Sequence, residues 1–293
     1  MNEKLNKIRQ KKRTAQIMVA VCAAGLAVSL ILTLRRSPFA FVFYGLILLF
    51  YLFVFRNQSK RYQQAVKNAT LEECLRPFLK NISYQEKDGL DPKAILNAGF
   101  IPIEHENSLL IRDIVHGSYQ AMPVFLSDVT SDYVSAKSTK RGNEKPVFDF
   151  LSGNWFEICF KESFPFSCTI WDKELVSDSA REHFFNGFYS ADSSQNAEFR
   201  NRFCTYTKDR PDITLPDGLT RALLKLAEFT PGKIAVQLDG QHFRIFIRNR
   251  FLYTNTVSPK IDITPQILQH NQYPEIAIKS YILRAADAAH QNL

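Results

Sequence analysis

Near the start of the chain, Ala15 to Leu34 is a run of twenty uncharged residues, and Phe39 to Phe55 is a second uncharged run of seventeen; only Arg35, Arg36, Ser37 and Pro38 separate them. As helices the runs are about 30 Å and about 25 Å long, against a hydrocarbon core of about 30 Å. A cleaved export signal needs an apolar core of only about 7 to 15 residues. The first run exceeds that, so Cys22 within it is read as a membrane-helix residue. The expectation is a two-helix transmembrane hairpin over 15–55, turned by Pro38 and by two arginines able to snorkel to the headgroups.

The flanks set the orientation. Lys4, Lys7, Arg9, Lys11, Lys12 and Arg13 precede the first run, and Arg56, Lys60, Arg61 and Lys67 come after the second. Both outer flanks outweigh the turn, which predicts a multi-pass protein of the cell membrane with both termini cytoplasmic: a basic cytoplasmic tail over 1–14, the hairpin, a juxtamembrane helix over 56–82 and a cytoplasmic α+β domain over 83–293. Nine basic residues and one acidic residue, Glu3, lie before residue 57, leaving 28 of each sign beyond it. The overall charge of +8 therefore belongs to the membrane segment, and a neutral domain gives no footing for nucleic-acid binding. Five scattered cysteines without a C-x-x-C pair suit reduced thiols.

Beyond the hairpin, Val66, Leu71, Leu75, Phe78, Leu79 and Ile82 recur near helical spacing. Asp91, Pro92 and Gly99 mark the cap, first residue and end of a short helix. "SLLIRDIV" and "YQAMPVFLSDV" read as antiparallel strands flanking His116-Gly117, and Ser135 to Lys145 as a polar loop. The aromatic stretch 148–171 is expected to hold two or three core strands, anchored by Trp155 and Trp171. Helices are expected in "DSSQNAEFRNRF", over Leu219–Phe229 and over Pro274–His290. "KIAVQLDGQHFRIFIRNR" carries the sharpest local signal, apolar alternation on both sides of Asp239-Gly240, the signature of a type I′ hairpin. The fold class is α+β: a mixed, largely antiparallel sheet with flanking helices, as one globular unit.

The stretches "AILNAGF", "HGSYQAMPVFLSDV", "FLSGNWFEICF", "HFFNGFYSADSSQNAEF", "LTRALLKLAEF" and "KIAVQLDGQHFRIFI", in this order behind a two-span hairpin, resemble an uncharacterised bacterial family of two-span membrane proteins bearing a cytoplasmic domain of unknown function. The resemblance extends to Tyr253; it implies a location and an architecture, and no activity.

No motif of catalysis stands out. "TPGKI" lacks the upstream glycine and the hydroxyl of a phosphate loop, His105-Glu106 has no second histidine one turn on, and no G-x-S-x-G occurs. No ligand spacing calls for a metal or cofactor. Cys159, Cys168 and Cys204 are expected as inert core thiols; a site joining one of them to His183 or His242 across separated strands is the enzyme alternative. The binding candidate is the hairpin row His242, Arg244, Phe246, Arg248 and Arg250. With Asp239-Gly240 as the loop, Val236 faces Phe243 and Ile234 faces Ile245 on the buried side, so the row shares the other face, with Ala235 opposite Arg244 and Gln237 opposite His242. That face is read as a surface for anionic lipid headgroups, a phosphorylated ligand or an acidic partner, or as a solvated strand face. The expected role is a membrane-anchored, non-catalytic scaffold or sensor that binds a protein or small ligand. Small residues at Ala20, Ala24, Gly25 and Ser29 add the option of homo-oligomers through the hairpin.

Overall fold

The computed structural model describes residues 2–34, 40–50, 57, 61, 75–85, 91–103, 108–140, 143–191, 194–209, 212–230, 232–248 and 275–291. The chain divides into two compact units, residues 1–74 with 256–271, and residues 75–255 with 272–293.

In the first unit, α1 runs from Asn2 to Leu34, so the basic tail is helical and continuous with the apolar run. Within α1, Lys12–Ile31 has a mean hydropathy of 2.1 and is long and apolar enough to cross a membrane; among the described residues it is the one such stretch. The second helix, α2, covers Ala40–Phe50, 11 residues or about 16 Å, which is short of a span. The remainder of the expected second span lies outside the described residues, so one candidate span stands where two were expected. The helices meet closely at Gly25, where an added Cβ would come within 3.1 Å of Ile47 on α2. Ser29, one turn on, is fully buried and its hydroxyl donates to Gly25 O at 3.0 Å.

The expected juxtamembrane helix lies mostly outside the described residues, and its end is corrected. Leu75 to Phe78 form one turn, then β1 (Lys80–Gln85) begins, so Ile82 lies in a strand. The chain continues through α3 (Pro92–Ala98), β2 (Leu110–Tyr119), β3 (Met122–Lys140), β4 (Asn143–Cys159), β5 (Cys168–Asp172), α4 (Asp178–Phe184), β6 (Tyr189–Ala191), α5 (Ala197–Arg202), β7 (Phe203–Thr207), α6 (Asp217–Phe229), β8 (Ile234–Asp239), β9 (His242–Arg248) and α7 (Glu275–His290). Asp91 and Gly99 bound α3 as expected, Asp91 accepting from Lys93 N at 3.0 Å and Gly99 ending the helix in the left-handed region; at the start of α5, Asn196 accepts from Glu198 N and Phe199 N.

The nine described strands form one sheet in the order β1-β2-β3-β4-β9-β8-β5-β7-β6, with every pairing antiparallel. The β8–β9 hairpin is wedged between β4 and β5, at the centre. One sheet face packs Val129, Tyr133, Leu151, Trp155, Trp171, Ala235 and Phe246 against Ile95 and Ala98 of α3 and the α4 segment through Phe185. The opposite face of the centre, Val236, Ile245, Ile158 and Ile170, is also fully buried. Helix α6 closes that side, where Arg202 bridges Asp172 Oδ2 at 3.2 Å and Ala227 O at 3.0 Å, and α7 lies along α6. Helices on both faces make the central strands two-sided core.

Two turns differ from expectation. His116-Gly117 lies inside β2; the turn is Gln120-Ala121, both at positive φ (48° and 67°), a type I′ geometry built without glycine. At the β8–β9 hairpin Asp239 pairs with His242, so the loop is Gly240-Gln241. Gly240 takes φ 55° at the first central position, the place a type II′ turn reserves for glycine. Ser135–Lys145 is no open loop: apart from residues 141–142, outside the described set, it continues β3 and β4 as a ladder to Lys140↔Asn143.

Candidate functional site

The two-residue shift in register leaves the hairpin faces as read, because side chains alternate with period two. Val236 pairs with Ile245, Gln237 with Arg244 and Ala235 with Phe246. His242, Arg244, Phe246 and Arg248 therefore share one face, but it is the face covered by α3 and α4. Phe246 is completely buried among Trp155 and Trp171, and Arg244 is 9% exposed. The solvated-face reading is corrected on this point, since β9 has β4 as its second neighbour and helices lie on both sides of the sheet. His242 and Arg248 alone among the described members reach partial exposure. Arg250 lies outside the described residues.

The neutralising carboxylate comes from β4. Glu157 stands directly opposite Arg244, and its Oε1 accepts from Arg244 Nε at 3.1 Å. Its Oε2 accepts from Trp155 Nε1 at 3.3 Å. Arg244 Nη1 donates to Gln237 Oε1 at 2.8 Å, and Gln237 Nε2 donates to Ala98 O at 2.6 Å, at the end of α3. The network thus ties three strands to the helix above them. His242 Nδ1 lies 2.7 Å from Glu157 Oε1, off the axis of an N–H bond, so the contact is electrostatic proximity and not an aligned hydrogen bond. Arg248 donates through Nη1 to Leu175 O and through Nη2 to Phe150 O at 3.5 Å.

Cys159 pairs across the ladder with His242. Its thiol contacts Phe160 O at 3.8 Å, and burial, with the Glu157 charge second, pushes its pKa up while Arg244 pulls it down. A thiol held in its protonated form is a poor nucleophile. Burial likewise pushes Cys168 to about 12. Trp155 and Trp171 are core anchors, 1% and 0% exposed, with Trp171 Nε1 donating to Phe100 O at 2.7 Å.

A second feature escaped sequence reading because it is built from elements far apart in the chain. A groove of about 540 Å³ lies between α5, α6 and α7, lined by Glu198, Arg221, Lys225, Glu228, Tyr281 and Arg284 among others. Phe229, 52% exposed, stacks on Tyr281 at 4.4 Å between ring centroids, and the Arg284 guanidinium sits 5.5 Å from the Tyr281 centroid.

No family model matches the chain, and no curated protein does. Among solved structures, the crystal structure of the mycobacterial trehalose monomycolate transport factor A, TtfA, is similar at 9% identity over 76% of this chain and 92% of that chain, with a TM-score of 0.39, a likeness too distant to carry any assignment.

Proposed function

We propose that this chain is a membrane-anchored, non-catalytic module whose sheet domain acts as a scaffold or sensor, binding a protein or small ligand at the inner face of the cell membrane. The observation that carries it is α1. Its apolar stretch turns Ile17, Leu26, Leu30 and Ile31 outward at 50–60% exposure, side chains that hydrocarbon accepts and water disfavours. Two spans with both termini cytoplasmic is the finer placement, supported by the basic flanks. A binding role is favoured over catalysis because the polar groups gathered at the sheet centre serve one another: Glu157 and Arg244 are mutually paired, and the nearby thiol is kept protonated.

An enzyme reading keeps one observation in its favour, the cross-strand placement of Cys159 and His242 beside Glu157. Complementation of a deletion strain separates the two. The binding-module reading expects the full chain carrying Cys159→Ala to restore the wild-type phenotype, and a chain truncated of residues 1–56 to fail although folded. Loss of function with Cys159→Ala at normal abundance would transfer the case to the enzyme, and full function of the truncated chain would remove the anchor.

A further inference from the structure

The α5–α6–α7 groove holds charges of both signs that have no ion-pair partner among the described residues. Among the described residues Arg221 donates only to Asp217 O of its own helix, Arg284 meets only the Tyr281 ring, and no ion pair engages Lys225, Glu228 or Glu198. Beside them Phe229 leaves 52% of its surface open, large for an aromatic already stacked on a neighbour.

The charges along α6 are arranged so that the helix complements itself. Arg221 and Glu228 lie on either side of a point between Leu224 and Lys225, two turns or about 10 Å apart. We propose that this groove is the contact surface for a second copy of the chain, with the two α6 helices antiparallel about a two-fold axis at that point. One rotation then sets Arg221 of each copy against Glu228 of the other, so the pair forms twice, as an isologous interface requires. The same step brings each Arg221 over the exposed Phe229 next to Glu228, adding a cation–π contact. Lys225 sits beside the axis next to its own copy, a like-charge contact that the two Arg221–Glu228 pairs must outweigh.

The test uses the full chain in its own membranes. Lys225→Cys is expected to give an oxidant-induced dimer that the parent chain does not give. Adding Arg221→Glu or Glu228→Arg should lower the cross-linked fraction at least tenfold, because each sets like charges against each other, and Arg221→Glu with Glu228→Arg together should restore it. These side chains are exposed, so circular dichroism of the purified variants should match the parent. Absence of a cross-link, indifference of the dimer to the single swaps, or failure of the double swap to restore it would each overturn the proposal; a dimer indifferent to all swaps would place self-association elsewhere, for example in the membrane helices.

Discussion

Glu157 keeps 12% of its side chain exposed and Arg244 keeps 10%, so the pair is largely cut off from water. Two charges in such a place are costly to bury and costlier to separate, because whichever remains has neither solvent nor partner. Glu157→Gln is therefore expected to destabilise the domain by about 3–5 kcal/mol. Combining it with Arg244→Met should recover much of that loss, since no charge is then stranded; chemical denaturation of the full chain in detergent reads both. The same carboxylate acts on Cys159. With its pKa raised above the ordinary 9.0, the folded thiol should reach half-maximal iodoacetamide reactivity only above that pH. For stability, the raised value favours the folded state below pH 9, and the contribution fades as pH climbs through the folded pKa. Reactivity titrating below pH 9 in the folded chain would show that the thiol is activated after all. None of these partners was legible from the hairpin itself. Parity put His242, Arg244, Phe246 and Arg248 on one face, though that face proved to be a covered one; Glu157 sits 87 residues from Arg244 in sequence, and only the ladder brings them together.

Elements marked by local chemistry were the readable ones: α3 between Asp91 and Gly99, α6 by its apolar stripe, and the β8–β9 hairpin by its alternation. Elements decided by their neighbours were not. The polar residues 135–140 and 143–145 read as a loop and are strands because, apart from Ser135 at a register shift, each faces a partner across the β3–β4 ladder. The Gln120-Ala121 turn has no glycine to announce it. Gly153 illustrates the dependence from the other side. Nothing around it in sequence marks it, yet a Cβ there would stand 2.2 Å from Ile247 O and 2.6 Å from the Phe246 ring, because β9 crosses β4 closely at that point. Gly153→Ala must push two central strands apart and is expected to cost about 3 kcal/mol or more. A loss below about 1 kcal/mol in chemical denaturation would mean that the two strands have room to separate there.

For the whole molecule, the proposed membrane anchorage turns on which side of the membrane carries the sheet. Helix α1 runs unbroken from the basic residues into the apolar stretch, so the six cations from Lys4 to Arg13 are joined to the candidate span by one continuous helix, and on the proposed topology they favour a cytoplasmic start for it. The side on which the sheet domain emerges depends on whether the chain crosses once or twice. If it returns through the 39–55 run, Ser37 faces outside and Ser59 inside, where Arg56, Lys60, Arg61 and Lys67 belong. If it crosses once, both positions lie outside, four basic residues included, which the charge bias disfavours. An impermeant maleimide applied to intact cells, with the modified peptides identified by mass spectrometry, is therefore expected to label Ser37→Cys and to spare Ser59→Cys until the cells are opened. Labelling of both positions in intact cells would establish a single crossing, place the sheet domain on the outer side and remove the inner-face binding role, while leaving the fold and the α6 contact surface untouched.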